Sequence, residues 1–392
     1  MAIDNKNKVL NVPHLRFPEF SGEWKKCIIQ DYGEVITGNT PPTNNAEYYN
    51  NGSYLWASPA DLGTGKKIND TKTKLSESGF KKTRIIPKGS ILVTCIGSTI
   101  GKIGMAVETM SSNQQINSII VNEKSNNDFV YYAISRAFPR YLSEVGVQAV
   151  PILSKSNFEK LPNYTTSIEE QDKTGYFLNL LDERIATQNK IIEDLKKLKC
   201  AIIEKLYSKI QGKEYSYGQL FDVVNERNKQ MEYYNILSAS QEKGMVNRDD
   251  LNLDIQFERS NINTYKIVRK GDYVIHLRSF QGGFAFSDKL GVCSPAYTIL
   301  RPNSLLEYSY LSYYFTSQRF IKSLIIVTYG IRDGRSINVE EWLNMKVVIP
   351  SKEHQLHTLN VLKRIDDKVE NEEKYATCLS NQKQYLLRQM FI

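Results

Sequence analysis

Two stretches in the first third of the chain hold residues suited to gripping a phosphate or reading a base edge. Gly97-Ser98-Thr99-Ile100-Gly101-Lys102-Ile103 follows an apolar strand candidate. It fails the phosphate-loop pattern of nucleotide enzymes, which needs four residues between the glycines and Ser or Thr after the lysine. Here three residues intervene and Ile103 follows Lys102. The stretch reads instead as a strand-end turn whose amides, Ser98, Thr99 and Lys102 suit a DNA phosphate. A hairpin turn without a ligand would use the same glycines for backbone reasons alone. Asn113-Gln114-Gln115-Ile116-Asn117 is a cluster of amides at a strand start. Asn and Gln can pair bidentately with adenine in the major groove, and Gln114 and Gln115 are the candidates; a solvated loop is the plain alternative.

The second half offers Arg278, Gln281, Arg332 and Arg335. Arginine suits guanine edges or phosphate, although Asp333 between the last two equally suits a surface ion pair. Lys66, Lys67, Lys72, Lys74, Lys81, Lys82 and Arg84 form a basic run broken by Asp70 and Glu77. Lys66 and Lys67 are taken from it as phosphate contacts, against the alternative of a solvated face.

Other chemistries find little support. His354 and His357 lie three apart with no cysteine near, so zinc is not indicated. The patterns of zinc proteases, serine hydrolases, EF-hands and dinucleotide folds do not occur. Thr40-Pro41-Pro42-Thr43 only superficially echoes the motif of amino-methyltransferases. The five cysteines are scattered without a CxxC pair, which fits a reducing cytoplasm. The first twelve residues lack the apolar region of a signal peptide, and the apolar runs are too short to span a bilayer. Net charge is +8, with most of the excess before residue 166. That is compatible with nucleic acid but weak by itself.

The elements that would position these residues follow from a duplication. Shifted by 184 positions, Gly146 to Ser208 falls without a gap on Gly330 to Ile392. Phe158 meets Trp342, Gln171 meets Gln355, Asp182 meets Asp366 and Lys199 meets Lys383. Leu178, Leu181, Ile185, Ile192, Leu195, Ile202 and Leu206 repeat as Leu362, Ile365, Val369, Ala376, Leu379, Leu386 and Met390. Such a/d spacing with charged flanks predicts a long helix pairing along a seam. Each would run to roughly 60 Å at about 1.5 Å per residue. Neither can bury its stripe alone, so each is the other's simplest partner. Lys199 and Lys383 either fix the register of the seam or snorkel at its edge.

The rest of the chain repeats more loosely. Lys270 to Ile275 matches Lys88 to Val93, and Tyr308 to Lys322 takes the place of a late helix from Phe129 to Ser143. The expectation is an α+β chain of 392 residues. Two similar globular α/β domains, 1–165 and 212–350, alternate with spacer helices at 166–211 and 351–392. The helices pair as an antiparallel coiled coil with an internal pseudo-two-fold repeat. Two readers on one two-fold frame suit double-stranded DNA, where half-site spacing mirrors protein symmetry.

Over essentially its whole length the chain resembles the specificity subunits of type I restriction–modification enzymes. The resemblance rests on Phe158, Leu161, Glu170-Gln171, Leu181-Asp182, Ile185 and Leu206-Tyr207 with their second copies. It also rests on Pro87-Lys88-Gly89-Ser90-Ile91-Leu92, the glycine stretch after it, and Val12-Pro13 with Leu15-Arg16-Phe17-Pro18. The second copy departs at His354, which replaces Glu170, and at Arg278 to Gly283, which lacks the first glycine stretch. The resemblance implies a non-catalytic, cytoplasmic subunit in which each domain reads half of a split, asymmetric site. The helices would set the gap and dock two modification subunits that methylate adenine. No cofactor is then expected in this chain; S-adenosylmethionine, ATP and Mg²⁺ would sit on the modification and restriction subunits. A nuclease with an unrecognised centre is the alternative.

Overall fold

A computed structural model of the chain describes residues 10–145, 152–240, 243–250, 259–276, 283–329 and 336–392. They form two compact units. The first is Met1–Asn189 with Lys374–Ile392, and the second is Lys190–Glu373. Each unit therefore holds one globular block and a stretch of both long helices.

The strands of the first unit are β1 (Lys25–Ile28), β2 (Gly33–Thr37), β3 (Tyr54–Ala57), β4 (Lys67–Ile68), β5 (Thr73–Leu75), β6 (Ile91–Thr94), β7 (Ile103–Ala106), β8 (Ser111–Ser112), β9 (Ile116–Val121) and β10 (Pro162–Thr165). The main sheet has the order β2-β9-β6-β7-β4, and only β4 runs parallel to its neighbour. Side chains alternate across it, as a strand's two-residue period requires. Ile91, Val93, Ile103, Met105 and Ile119 pack on the helix Asn127–Val145. Leu92, Ala106, Ile116 and Ile68 face the opposite way and pack with Leu55 and Ala57 of β3. β3 belongs to a small sheet of order β5-β3-β8.

The lead-in segment from Leu15 packs on the unit's helix ends. The Leu15 amide donates to the Gln389 carbonyl at 2.9 Å, and buried Trp24 lies against Phe129 and Phe391. Arg16 donates Nε and Nη2 to the two Glu170 carboxylate oxygens, each at 2.7 Å. Trp24 Nε1 adds a bond to Glu170 Oε1 at 3.2 Å. The stretch Cys27 to Ile36 is the end of β1, a four-residue turn of helix (Ile29–Tyr32) and most of β2.

The second unit holds β11 (Lys213–Ser216), β12 (Phe221–Val224), β13 (Leu237–Ser240), β14 (Gly244–Asn247), β15 (Lys266–Val268), β16 (Tyr273–Ile275), β17 (Phe284–Phe286), β18 (Gly291–Cys293), β19 (Thr298–Pro302), β20 (Thr328–Tyr329), β21 (Ser336–Ile337) and β22 (Lys346–Ile349). Its sheet, β12-β19-β16-β17, repeats the order β2-β9-β6-β7. Gly89 and Gly271 both take positive φ, 86° and 94°, in the turn before the central strand. The ribbon β1–β10 pairs Lys25 with Thr165, and β11–β22 pairs Lys213 with Ile349. Phe158 and Trp342 are both fully buried. The late helix expected over Tyr308 to Lys322 is two short helices, Tyr310–Tyr314 and Gln318–Ser323. Ser317 caps the second through the Phe320 amide, in keeping with the preference of serine for helix starts over helix interiors.

The long helices run Ile168–Ser208 and Lys352–Met390. Within the first unit Asp182 faces Lys383 and Arg184 faces Tyr375; within the second, Lys196 faces Glu373 and Lys199 faces Asp366. In both, partner numbers fall as helix numbers rise, so the segments pair antiparallel. The apolar stripe read from the sequence is the inward face: Leu178, Leu362, Val369, Leu379, Leu386 and Met390 are buried.

Candidate nucleic-acid interface

The β6–β7 hairpin carries residues 95–102 at its tip. Gly97 and Gly101 have φ of +96° and +91°, a region that non-glycine residues rarely adopt. A Cβ at Gly101 would also come within 2.8 Å of Phe138. The tip is closed by Gly101 N–H to Thr94 O at 2.9 Å and Lys102 N–H to Thr99 O at 3.2 Å. Ser98 is exposed, and Thr99 and Lys102 are half-buried.

The amide turn reaches the same end of the sheet because β9 pairs with β6, setting Ile116 opposite Thr94. The Cys95 amide donates to the Gln115 carbonyl at 2.7 Å. The Gln115 amide donates to Asn113 Oδ1 at 3.0 Å, and Asn113 Nδ2 donates to Gln115 Oε1 at 3.1 Å. The chain leaving β2 joins them. A Cβ at Gly38 would stand 2.3 Å from the Ser112 and Asn113 carbonyls, so the close approach requires glycine. Thr40 then bonds Gln114. Asn39 accepts from the Arg84 amide at 2.8 Å and donates to the Lys82 carbonyl at 2.9 Å.

The structure thus gathers Ser98, Thr99, Lys102, Gln114 and Gln115 at one end of the sheet and adds Asn39 and Thr40. Neither of those two is among the candidates read from the sequence. The signal that could have found them is Gly38, whose loop must close on the amide turn.

Lys66 and Lys67 lie elsewhere. Lys66 is buried: its Nζ meets Asp128 Oδ1 at 2.6 Å and Asn179 Oδ1 at 2.8 Å. It also lies 4.5 Å from the centre of the Tyr132 ring. Burial lowers its pKa against the opposing pull of Asp128. Its charge is committed to the joint between the globular block and the first long helix. Lys67 is half exposed, 3.5 Å from Glu183. Tyr132 donates to Asp182 Oδ2 at 2.6 Å; burial, then the Asp182 charge, pushes its hydroxyl pKa far up. Asp182 is also the partner of Lys383.

In the second unit the β16–β17 hairpin closes through His276 N–H to Gly283 O at 2.9 Å. Arg278, Gln281, Arg332 and Arg335 lie outside the described residues. Among the described residues no group of three or more His, Cys, Asp or Glu could hold a metal ion.

Residues 21–197 match the family model of the type I restriction modification DNA specificity domain. Over that stretch, a little under half of its length, the chain is similar to type I restriction–modification specificity subunits. It is 32% identical over 151 residues to the HindI specificity subunit of Haemophilus influenzae, covering 37% of this chain but 32% of that one. The matched stretch thus spans about a third of that relative. To the MjaVIII specificity subunit of Methanocaldococcus jannaschii it is 24% identical over 393 residues, 92% of this chain and 89% of the other. The fold is similar to that of the S subunit of a type I system from M. genitalium, with a TM-score of 0.56 at 16% identity, over 97% and 99% of the two chains. The family match takes in the first sheet and its loops and ends within the first long helix. The second copy is tied to the first by strand order and by the buried Phe158 and Trp342.

Proposed function

We propose that this chain is a specificity subunit, the double-stranded DNA reader of a cytoplasmic type I restriction–modification complex. Each globular block reads one half of a split, asymmetric site. The long helices set the gap and dock two modification subunits, which bind S-adenosylmethionine and methylate adenine; ATP-dependent restriction subunits join that core. The chain contributes recognition, and the catalytic centres lie on its partners. No described helix is long and apolar enough to cross a membrane.

The observation that carries this reading is the sheet end of the first unit. Three loops there present hydroxyls, carboxamides and one lysine on a frame that occurs twice. The frame is shared while the loop sequences differ, as expected if each block reads different bases. Phosphate contacts position a protein on DNA and base-edge contacts specify the sequence; Ser98, Thr99 and Lys102 suit the first task, Gln114 and Gln115 the second. In the second block Arg278, Gln281, Arg332 and Arg335 are proposed for the same tasks.

The test is selection from a random DNA library by the chain purified with its modification subunits. Two conserved half-sites at a fixed spacing, with affinity falling steeply with salt, support the reading. No enrichment at any salt would end it. Cleavage of DNA by the chain alone with Mg²⁺ would favour the nuclease alternative.

A further inference from the structure

Gln115 presents its amide with only one hand. The backbone N–H of Gln115 can only donate, and it meets Asn113 Oδ1 at 3.0 Å. That bond fixes the Asn113 carboxamide, leaving its Nδ2 to donate to Gln115 Oε1 at 3.1 Å. Asn113 is buried, so turning its amide over would leave the Gln115 N–H facing another donor. The Gln115 oxygen is therefore turned inward onto Asn113. Its Nε2 faces the hairpin tip: a Cβ added at Gly97 would stand 3.6 Å from it. Gln114 differs, because its partner is the Thr40 hydroxyl, which can donate or accept and so fixes no orientation.

A glutamine reads adenine by placing oxygen and nitrogen side by side, accepting from N6 and donating to N7. Gln115 turns its nitrogen toward the hairpin tip and its oxygen inward, with one of that oxygen's two lone pairs already held by Asn113. We propose that Gln115 determines one base of the half-site read by the first block, and that this base is guanine. Guanine offers two adjacent acceptors, N7 and O6, in the major groove; cytosine offers only a donor there, and thymine one acceptor beside a methyl group. Asn113 is then a positioning residue that selects the base by holding the glutamine oxygen. The inference rests on the DNA-reading function proposed above.

The experiment maps methylated adenines in a host that supplies the partner subunits together with the wild-type chain, Gln115→Ala or Gln115→Glu. The wild type is expected to require guanine at one position of one half-site. Gln115→Ala should relax that position alone, cutting the preference from about tenfold or more toward even, the scale of one good base contact. Gln115→Glu nearly preserves size. One carboxylate oxygen can keep the Asn113 bond while the other becomes an acceptor, so the same position should turn from guanine to cytosine. Thermal melting of both variants checks the fold. An unchanged motif in both would overturn the proposal. So would relaxation at a position where the wild type requires adenine, or uniform loss of methylation by variants that melt like the wild type. A wild-type chain that directs no split motif would instead overturn the DNA-reading function, and this inference with it.

Discussion

Asp182 binds Lys383 of the other long helix while accepting a hydrogen bond from Tyr132 at 2.6 Å. The second unit repeats the arrangement with Asp366, Lys199 and Tyr313, whose hydroxyl bonds Asp366 at 2.7 Å. Each lysine also lies near the ring of its tyrosine, at 5.7 and 5.3 Å from the centroid. One aspartate thus ties the globular block to one helix and that helix to the other. The seam lysines of the sequence are ion-paired across the helices.

Asp182→Ala should therefore cost more than Lys383→Met. The first leaves the hydroxyl proton of a buried tyrosine without its acceptor, and the second removes only a partly exposed charge. Losses of about 1–3 kcal/mol and below about 1 kcal/mol are expected. Urea unfolding of the single and double variants should give a coupling of about 0.5 kcal/mol or more. Additive effects would separate the two contacts.

Glu170 makes stability depend on acid. Burial alone would raise its carboxyl pKa, but bonds from Arg16, Thr166 and Trp24 hold it below the ordinary value. A depressed folded pKa stabilises at pH above the unfolded value, about 4.3, and loses that contribution as pH falls through the folded one. Glu170→Gln should lower stability by a constant amount between about pH 6 and 8. The gap should close in acid below the unfolded value. Melting across pH reads this directly.

Lys66 and Lys102 should separate cleanly. Lys102→Ala is expected to weaken DNA binding on all sequences and reduce the salt slope by about 1. Lys66→Met should leave the slope alone and lower the melting temperature, because Asp128 loses its partner at 2.6 Å. A reduced slope for Lys66→Met would return that lysine to the interface.

Phe158→Ala and Trp342→Ala should each cost about 3–5 kcal/mol, since both side chains are fully buried in their units. Hydrogen exchange should place each loss in its own unit.

The repeat was legible because packing constrains both copies alike. Gln171 and Gln355 each donate to the carbonyl five residues back, Thr166 and Pro350, and each accepts from the start of the late helix. The departure at His354 has a physical reason. Glu170 is an acid because Arg16 and Trp24 donate to it. In strand register the place of Trp24 is taken by Gly212, and the lead-in segment has no second copy. The loop constellation was only partly legible. Gln114, Gln115 and Lys102 stood out by residue type, but their convergence depends on β9 returning beside β6, a long-range pairing with no local signature. Lys66 was misleading for the same reason: its run of lysines looks solvent-facing, while Asp128 and Asn179 arrive from distant helices.

The most direct measurement is the adenine methylome of a host with and without this gene. Loss of one split motif with a fixed unread gap is the expected result, and it would give both half-sites at once. An unchanged methylome, with modification subunits present and the chain expressed, would contradict the account.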